Sequence, residues 1–160
     1  MSLERVVVNA SPLIVLFKSG QAELLPKLFR EILVPQTVWQ EVTIPQDDTV
    51  SRQLPDATWA TAVEVSINSE IAAWDLGAGE SAVLSYGMQN SGYRTIIDDA
   101  AARRCARTLG IATLGTGGVL VLAKRRGLID SLGDRLTRLQ DAGLWLSESV
   151  IAMLKQQAGE

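Results

Sequence analysis

The chain has 160 residues, of which 47% are hydrophobic and 21% charged, and its formal net charge is −3; this is the composition of one ordinary globular domain. It contains no histidine and one cysteine, Cys105, which excludes Ser-His-Asp and Cys-His catalysis, zinc sites of the usual Cys/His kind and an internal disulfide. Acid–base or metal chemistry must therefore use carboxylates, whose oxygens favour Mg²⁺, Mn²⁺ or Ca²⁺.

Short apolar runs bounded by turn residues predict strands and helices in the first third of the chain. Arg5–Asn9 has the almost wholly apolar pattern of a central parallel strand that is buried on both faces. Ser11 and Pro12 are expected to open the next helix as its N-cap and first helical residue. The patterns then predict, in order, a helix over Ala22–Phe29, a strand over Glu31–Val34, a helix from Pro35 to about Thr43 and an exposed loop over Pro45–Pro55.

The rest of the chain continues this alternation and ends in helices. The predicted elements are, in order, a strand over Trp59–Val65, a helix from about Gly79 to Gln89, a strand over Arg94–Asp98, a helix over Asp99–Leu109, a short strand over Ile111–Leu114 and helices over Gly117–Arg126, Leu132–Ala142 and Ser147–Gln156. Strands that alternate with helices indicate one domain of the α/β class, with helices on both faces of a parallel sheet.

No segment has the pattern of a membrane span or an export signal. Apolar stretches such as Val6–Val8 and Leu13–Phe17 are far shorter than the roughly 20 residues that cross a bilayer. Met1–Arg5 carries an acid and gives no basic lead into an apolar run. Since a single cysteine fits a reducing compartment, we expect a cytoplasmic protein.

Basic residues are concentrated in one segment of an otherwise acidic chain. Between Ala100 and Arg138, eight Lys and Arg side chains stand against two Asp side chains. Such a segment is compatible with an enzyme that grips an anionic polymer beside a cation-binding pocket, although solvated helix faces would give the same pattern. The basic residues assigned to nucleic-acid contact are Arg103, Arg104, Arg107, Lys124, Arg125 and Arg126.

Polar residues follow two predicted strands where those strands end. Asn9 follows Val6–Val8, and Asp98 and Asp99 follow Ile96 and Ile97. In open parallel sheets ligands bind at the carboxyl ends of the strands. One Asp satisfies the N-cap of the following helix, whereas a second adjacent carboxylate adds repulsion unless a cation offsets it.

Two glutamates and one threonine extend this set. Glu41 and Glu80 occupy helix positions beside apolar residues, where a carboxylate is costly unless it is paired or binds a metal; the alternatives are a rim position for Glu41 and a favourable first-turn charge for Glu80. Thr116 lies in a Gly-rich turn, where it either holds a water or phosphate oxygen or caps the helix. The turn Gly115–Gly118 is not a dinucleotide fingerprint.

The helix after Asp99 has a buried stripe that includes Cys105, most simply a core residue. The four tryptophans, Trp39, Trp59, Trp74 and Trp145, are read as core or interface residues, because single-stranded binders interleave aromatics with basic residues and the basic segment contains none. The apolar residues of the last quarter either complete the core or form a dimer face or a groove for a partner helix.

Five motifs occur in order along the chain: Val7–Ile14 (VVNASPLI), Val34–Val42 (VPQTVWQEV), Leu76–Ala82 (LGAGESA), Ile96–Arg103 (IIDDAAAR) and Leu109–Thr116 (LGIATLGT). Together with Ala123–Ile129 and the C-terminal helices, they resemble the PIN-domain family, and within it the small prokaryotic VapC-like proteins. The similarity covers nearly the whole chain.

The resemblance implies a three-layer α/β/α PIN-like fold with a mostly parallel sheet and extra C-terminal helices. It implies one domain over residues 1–160, with a core over about 1–128 and a helical extension over 129–160. It also implies a metal-dependent nuclease, usually a ribonuclease and often the toxin of a toxin–antitoxin pair. The family's acids correspond to Glu41, Glu80 and Asp98 or Asp99, and its polar positions to Ser11 and Thr116. The family's first acid is normally Asp, where this chain has Asn9.

These inferences form one hypothesis about catalysis. Glu41, Glu80, Asp98 and Asp99 hold one or two Mg²⁺ or Mn²⁺ ions, which Asn9 and Ser11 ligate directly or through water. The ions activate a water molecule for hydrolysis of RNA, and the basic residues named above hold the RNA backbone. RNA is the expected substrate, an antitoxin the expected protein partner and a homodimer the expected assembly.

Three alternatives remain open from the sequence. A weakened PIN-like protein would bind RNA or an antitoxin without cleaving, because Asn9 adds no negative charge to the metal site. A phospho-acceptor receiver domain also carries an acidic pair on a parallel sheet, but its acids lie near the first strand. A generic α/β nucleotide-binding module would carry the glycine-rich fingerprints that this chain lacks.

Overall fold

The computed structural model describes residues 4–44 and 48–160. Its strands are β1 (Glu4–Val8), β2 (Phe29–Pro35), β3 (Ala60–Val63), β4 (Tyr93–Ile96) and β5 (Thr113–Leu114). Its helices are α1 (Ala10–Lys18), α2 (Leu24–Leu28), α3 (Gln36–Thr43), α4 (Thr49–Gln53), α5 (Ser69–Ala72), α6 (Ala78–Gln89), α7 (Ala100–Leu109), α8 (Thr116–Arg125), α9 (Leu132–Asp141) and α10 (Glu148–Gln157), with a short 3₁₀ helix at Leu54–Asp56.

Within the described residues, the five strands form one parallel sheet in the order β3-β2-β1-β4-β5. Helices cover both of its faces, which confirms the predicted α/β/α fold. In the register of the sheet, Val8 at the end of β1 pairs with Ile96 at the end of β4. The polar residues that follow these two strands are therefore neighbours at the carboxyl edge of the sheet.

The apolar sequence of β1 places it at the centre of the sheet. Val6, Val7 and Val8 are completely buried, as expected for a parallel strand covered on both faces. This burial fixes the end of β1, and hence the position of Asn9, within the core of the domain.

The segment predicted to be an exposed loop is largely helical and partly buried. Asp48 and Ser51 form a reciprocal capping box that starts α4, and Val50 and Leu54 face the core with 1% and 0% exposure. The loop prediction was wrong for residues 48–55, because the apolar side chains there outweigh the polar composition. Residues 45–47 of that loop lie outside the described residues, as do residues 1–3 of the segment examined for a signal peptide.

Other differences concern the ends of helices. Asn9, not Ser11, is the N-cap of α1, and Gly115, not Thr116, is the N-cap of α8. The helix predicted over Ala22–Phe29 is shorter, because Phe29 already belongs to β2. The short helix α5, which Asn68 caps through its side chain, was not predicted.

Across the described part of the chain, no helix has both the length and the apolar character needed to cross a membrane.

Candidate functional site

Asn9 is a buried polar residue at the junction of β1 and α1. Its backbone N–H donates a hydrogen bond to the carbonyl oxygen of Ile96, 3.0 Å away, which ties the end of β1 to the end of β4. The residue is only 2% exposed, and its side-chain oxygen Oδ1 is buried without a hydrogen-bond partner in the described structure. A buried acceptor without a donor is unfavourable and marks a place where a ligand can be accommodated.

Gly79 brings Asn9 close to Glu41. A Cβ atom added to Gly79 would lie 3.2 Å from Asn9 Oδ1 and 3.5 Å from Glu41 Oε1. The two side-chain oxygens therefore face the same small space, which a side chain at position 79 would occupy. This contact joins the first turn of α6 to α3 and to the end of β1.

Glu41 and Glu80 form a pair of neighbouring carboxylates. Glu41 is exposed overall, as its alternative rim position predicted, but partial removal of its carboxyl from water raises its pKa, and the negative charge of Glu80 raises it further. Glu80 is half-buried in the first turn of α6. A Cβ atom added to Gly77 would lie 2.5 Å from Glu80 Oε2, so the carboxylate folds back over the start of α6. A bound cation would relieve the repulsion between these two groups.

Asp98 is held at the carboxyl edge by Thr116. The Thr116 backbone N–H donates to Asp98 Oδ1 at 2.9 Å, and the Thr116 hydroxyl donates to Asp98 Oδ2 at 2.5 Å. Thr116 is completely buried. Its hydroxyl therefore orients a carboxylate instead of capping α8, and Asp98 is fixed in position before any ligand binds.

Asp99 has a different role from its neighbour. Its Oδ2 accepts a hydrogen bond from the Ala102 backbone N–H at 2.9 Å, so Asp99 is the N-cap of α7, and it is exposed. One acid of the adjacent pair therefore caps the helix, as the capping interpretation required, and Asp98 is the one that faces α8.

The predicted site residues are thus only partly gathered. Asn9, Glu41 and Glu80 come together, Asp98 follows the adjacent strand, Asp99 caps α7, and Ser11 is exposed in the first turn of α1. In residues 4–44 and 48–160, no three Asp, Glu, Cys or His side chains form a group arranged to hold a metal ion. The third side-chain oxygen near the Glu41 and Glu80 carboxylates is Asn9 Oδ1.

Arg103 lies beside Asp98. Its Nη1 donates to the Ile97 carbonyl oxygen at 3.3 Å. A Cβ atom added to Gly115 would lie 2.8 Å from Arg103 Nη1 and 3.2 Å from Asp98 Oδ1, so both groups crowd the same glycine. Arg104 and Arg107 are exposed along the same helix, α7.

Lys124, Arg125 and Arg126 lie far from this edge. They occupy the end of α8, a ten-residue helix about 15 Å long that starts beside Asp98. Arg126 donates to the carbonyl oxygen of Leu28, at the opposite edge of the sheet where β2 begins. Lys124 pairs with Glu160, and Arg125 donates to the carbonyl oxygen of Gln157. The structure does not bring these three residues to the carboxylates.

Gly79 and the contact of Arg103 with the Asp98 region were not identified from the sequence. Gly79 immediately precedes Glu80 in the motif LGAGESA. A glycine beside a candidate site residue in a helix is the signal that could have indicated a close approach to a polar group. The Arg103 contact has no such signal, because it depends on how α7 packs against the turn before α8.

The parallel sheet, its two layers of helices and the acidic carboxyl edge define an α/β/α protein with a polar site where the central strands end. A family model described as a PIN domain matches residues 5–160. The chain therefore belongs to the PIN-domain family. PIN domains are generally nucleases and typically use divalent metal ions. No curated protein sequence matches the chain, and the VapC-like subgroup stays a prediction.

Proposed function

We propose that this PIN-domain protein is a ribonuclease that hydrolyses RNA phosphodiester bonds with Mg²⁺ or Mn²⁺ at the carboxyl edge of its sheet. The observation that carries this proposal is the buried Asn9 Oδ1, which has no hydrogen-bond partner and faces the same space as a Glu41 carboxylate of raised pKa. An enclosed acceptor beside two repelling carboxylates is an arrangement that a cation stabilises.

The residues present fit a hard divalent cation. An amide carbonyl and two carboxylates are the oxygen ligands that Mg²⁺ and Mn²⁺ prefer, and Asn9, Glu41 and Glu80 supply them. Asp98, anchored by Thr116 after the neighbouring strand, lies at the same edge, but within the described residues it does not form a three-acid group with Glu41 and Glu80. Asn9, Glu41 and Glu80 would hold the ion, which would supply an activated water and neutralise charge on the phosphate.

The chain's own residues position the substrate. Arg103 lies beside Asp98 and the turn before α8, where its guanidinium can contact an RNA phosphate. Arg104 and Arg107 extend a basic surface along α7. Since these contacts are electrostatic, substrate affinity should fall as salt rises. Lys124, Arg125 and Arg126 make the contacts described above at the far end of α8, and their contact with RNA stays a prediction.

The direct test of this function is RNA cleavage with and without a divalent metal. We expect the purified protein to cut single-stranded RNA in Mn²⁺ or Mg²⁺ and to lose that activity in EDTA, because carboxylates alone do not lower the pKa of the attacking water as a divalent ion does. Gel analysis of a labelled RNA measures the rate. Equal cleavage in EDTA that Glu41→Gln protein, purified in the same way, does not reproduce would contradict a metal-dependent mechanism.

A second candidate is a weakened PIN-like protein that binds RNA or an antitoxin without cleaving it. The favouring observation is that Asn9, where the family normally has Asp, brings no charge to the site. Such a protein would bind RNA but show no cleavage in Mn²⁺. The toxin role, an antitoxin partner and a homodimer remain predictions; size-exclusion chromatography with light scattering measures the assembly.

A further inference from the structure

A groove of about 530 Å³ opens from Asp98 along the sheet edge formed by β5. One side consists of Asp98, Arg103, Thr113 and the turn before α8, and the other side comes from α10 and the connection between α9 and α10. The apolar lining of this second side is provided by Leu144, Trp145, Leu146, Val150, Met153 and Leu154. The groove therefore joins one residue of the candidate catalytic site to an apolar surface.

Trp145 exposes most of its surface, although it lines an apolar part of the groove. Its relative exposure is 82%, and Met153 beside it in the groove is 48% exposed. By contrast, Trp59 is half-buried and stacks on Phe17 with ring centroids 5.9 Å apart, and Trp74 is 37% exposed. An indole that exposes this much of its surface has a face available for stacking with a ligand.

Two arginines line the groove, although the chain as a whole is acidic. Arg94 and Arg103 line it together with one acid, Asp98, and Arg94 is also paired with Glu4 at 3.4 Å, whereas the net charge of the chain is −3. An aromatic face beside arginines is the combination with which proteins bind single-stranded nucleic acid, the bases stacking and the phosphates contacting the basic groups.

We propose that this groove binds the RNA strand next to the bond that is cut, with one base stacked on Trp145 and the adjoining phosphates near Arg103 and Arg94. The inference rests on the proposed function, since it takes RNA as the ligand. Continuity favours a strand over a protein segment as the occupant, because Asp98 lines the groove and lies at the carboxyl edge where cleavage is proposed. The Arg103 guanidinium in its wall complements a phosphate group.

The packing of α10 on α8 explains why this surface was not visible in the sequence. A Cβ atom added to Gly117 would lie 2.6 Å from Leu154 Cδ1, so the absence of a side chain at position 117 lets α10 approach α8 closely. This approach sets Trp145, which is 42 positions from Arg103 in the chain, into the same groove. The basic and aromatic groups interleave in space and not along the sequence.

The test uses the full chain and a single-stranded oligoribonucleotide of about 12 residues, within the size that one binding surface covers. Tryptophan fluorescence is titrated in EDTA, so that RNA binds without being cut, for the wild type, Trp145→Phe, Trp145→Ala and Trp74→Phe. We expect RNA to quench the wild type and Trp74→Phe equally and to leave Trp145→Phe unquenched. Because base stacking is lost, Trp145→Ala should weaken binding by about tenfold or more, and Trp145→Phe should weaken it less.

Each outcome of this titration decides the proposal. Quenching that persists in Trp145→Phe, an unchanged affinity in Trp145→Ala, or the absence of RNA binding would overturn it. A change in Trp145 emission that depends on protein concentration and not on RNA would also overturn it, and would indicate a second copy in the groove. Unchanged thermal melting of Trp145→Ala checks that the fold is intact, as expected for so exposed a residue.

A parallel cleavage assay in Mn²⁺ separates this inference from the proposed function. If the wild type cleaves RNA and Trp145→Ala has the same KM, the nuclease function is supported and the proposed contact of RNA with Trp145 is contradicted. Wild-type protein that shows Trp145-dependent binding of RNA but no cleavage removes the nuclease and leaves the groove as an RNA-binding surface.

Discussion

Glu41→Gln is expected to lower Mn²⁺-dependent RNA cleavage by at least about 100-fold. Outer-shell partners of metal sites already cost about 10–100-fold when mutated, and Glu41 lies closer to the site, with Oε1 facing the same space as Asn9 Oδ1. Glutamine keeps the shape of the side chain and removes its charge, so the loss reports on the negative charge itself. Initial cleavage rates at saturating Mn²⁺ give the comparison.

The same substitution should stabilise the metal-free protein at neutral pH. Burial and Glu80 raise the pKa of Glu41 above its ordinary value of 4.5, so the native state holds this proton more tightly than the unfolded chain does. Ionisation of Glu41 therefore costs stability as pH rises from about 4.5 through the higher native pKa, and the cost is absent at lower pH. Thermal melting in EDTA should show Glu41→Gln above the wild type at pH 7 and level with it at pH 4.

Glu23→Gln is the matched control. Glu23 is exposed beside α2, near the opposite edge of the sheet, and its side chain makes no capping bond there. This control should keep both wild-type activity and the wild-type pH profile of melting. A Glu41→Gln protein that cleaves as fast as the wild type would show that the Glu41 charge does not contribute to cleavage. A lower melting temperature than the wild type at pH 7 would show that this charge does not destabilise the metal-free protein.

Asn9→Asp is expected to make the protein more dependent on metal and more active. The new carboxylate is placed at a position only 2% exposed, close to Glu41, where an unpaired charge costs about 2 kcal/mol or more. In EDTA the melting temperature should fall by about 5 °C or more. In Mn²⁺ the stability should return, and cleavage should rise by about tenfold or more, because the ion then has a third carboxylate.

Gln140→Glu is the control that distinguishes the Mn²⁺-dependent stabilisation of Asn9→Asp from the effect of one added negative charge. Gln140 is exposed on α9, and the change adds the same single negative charge away from the site. Its melting temperature should respond to Mn²⁺ as the wild type does. Asn9→Asp protein that gains neither Mn²⁺ stabilisation nor activity would contradict a metal site at Asn9. Activity that appears only in Asn9→Asp would instead favour the weakened, RNA-binding alternative for the natural chain.

Local sequence patterns predicted the fold well because the buried strands coincide with short apolar runs in the sequence. Val6–Val8 is apolar at every position and lies in the central strand of the sheet, and the helix predicted over Asp99–Leu109 is α7, which ends at Gly110 in the left-handed conformation that glycine adopts readily. The segment after residue 47 was predicted poorly, because its polar composition conceals Val50 and Leu54, which reach the core.

The site could be predicted only as a set of residue types near one edge. The order of strands, which places Asn9 next to the Asp98 region, follows from α/β topology, but the hydrogen bonds do not. No local sequence pattern predicts that Asp98 accepts hydrogen bonds from Thr116 while Asp99 caps α7. Nor does the basic composition of α8 reveal that Arg126 reaches Leu28 at the opposite edge. These choices depend on how separate elements pack.

Calorimetric titration of the metal-free protein with Mn²⁺ tests most directly whether Asn9, Glu41 and Glu80 form a cation site. We predict saturable binding to the wild type, binding at least about tenfold weaker in Glu41→Gln, and wild-type binding in Glu23→Gln. Absence of saturable binding to the wild type, or equal affinity in Glu41→Gln, would contradict it.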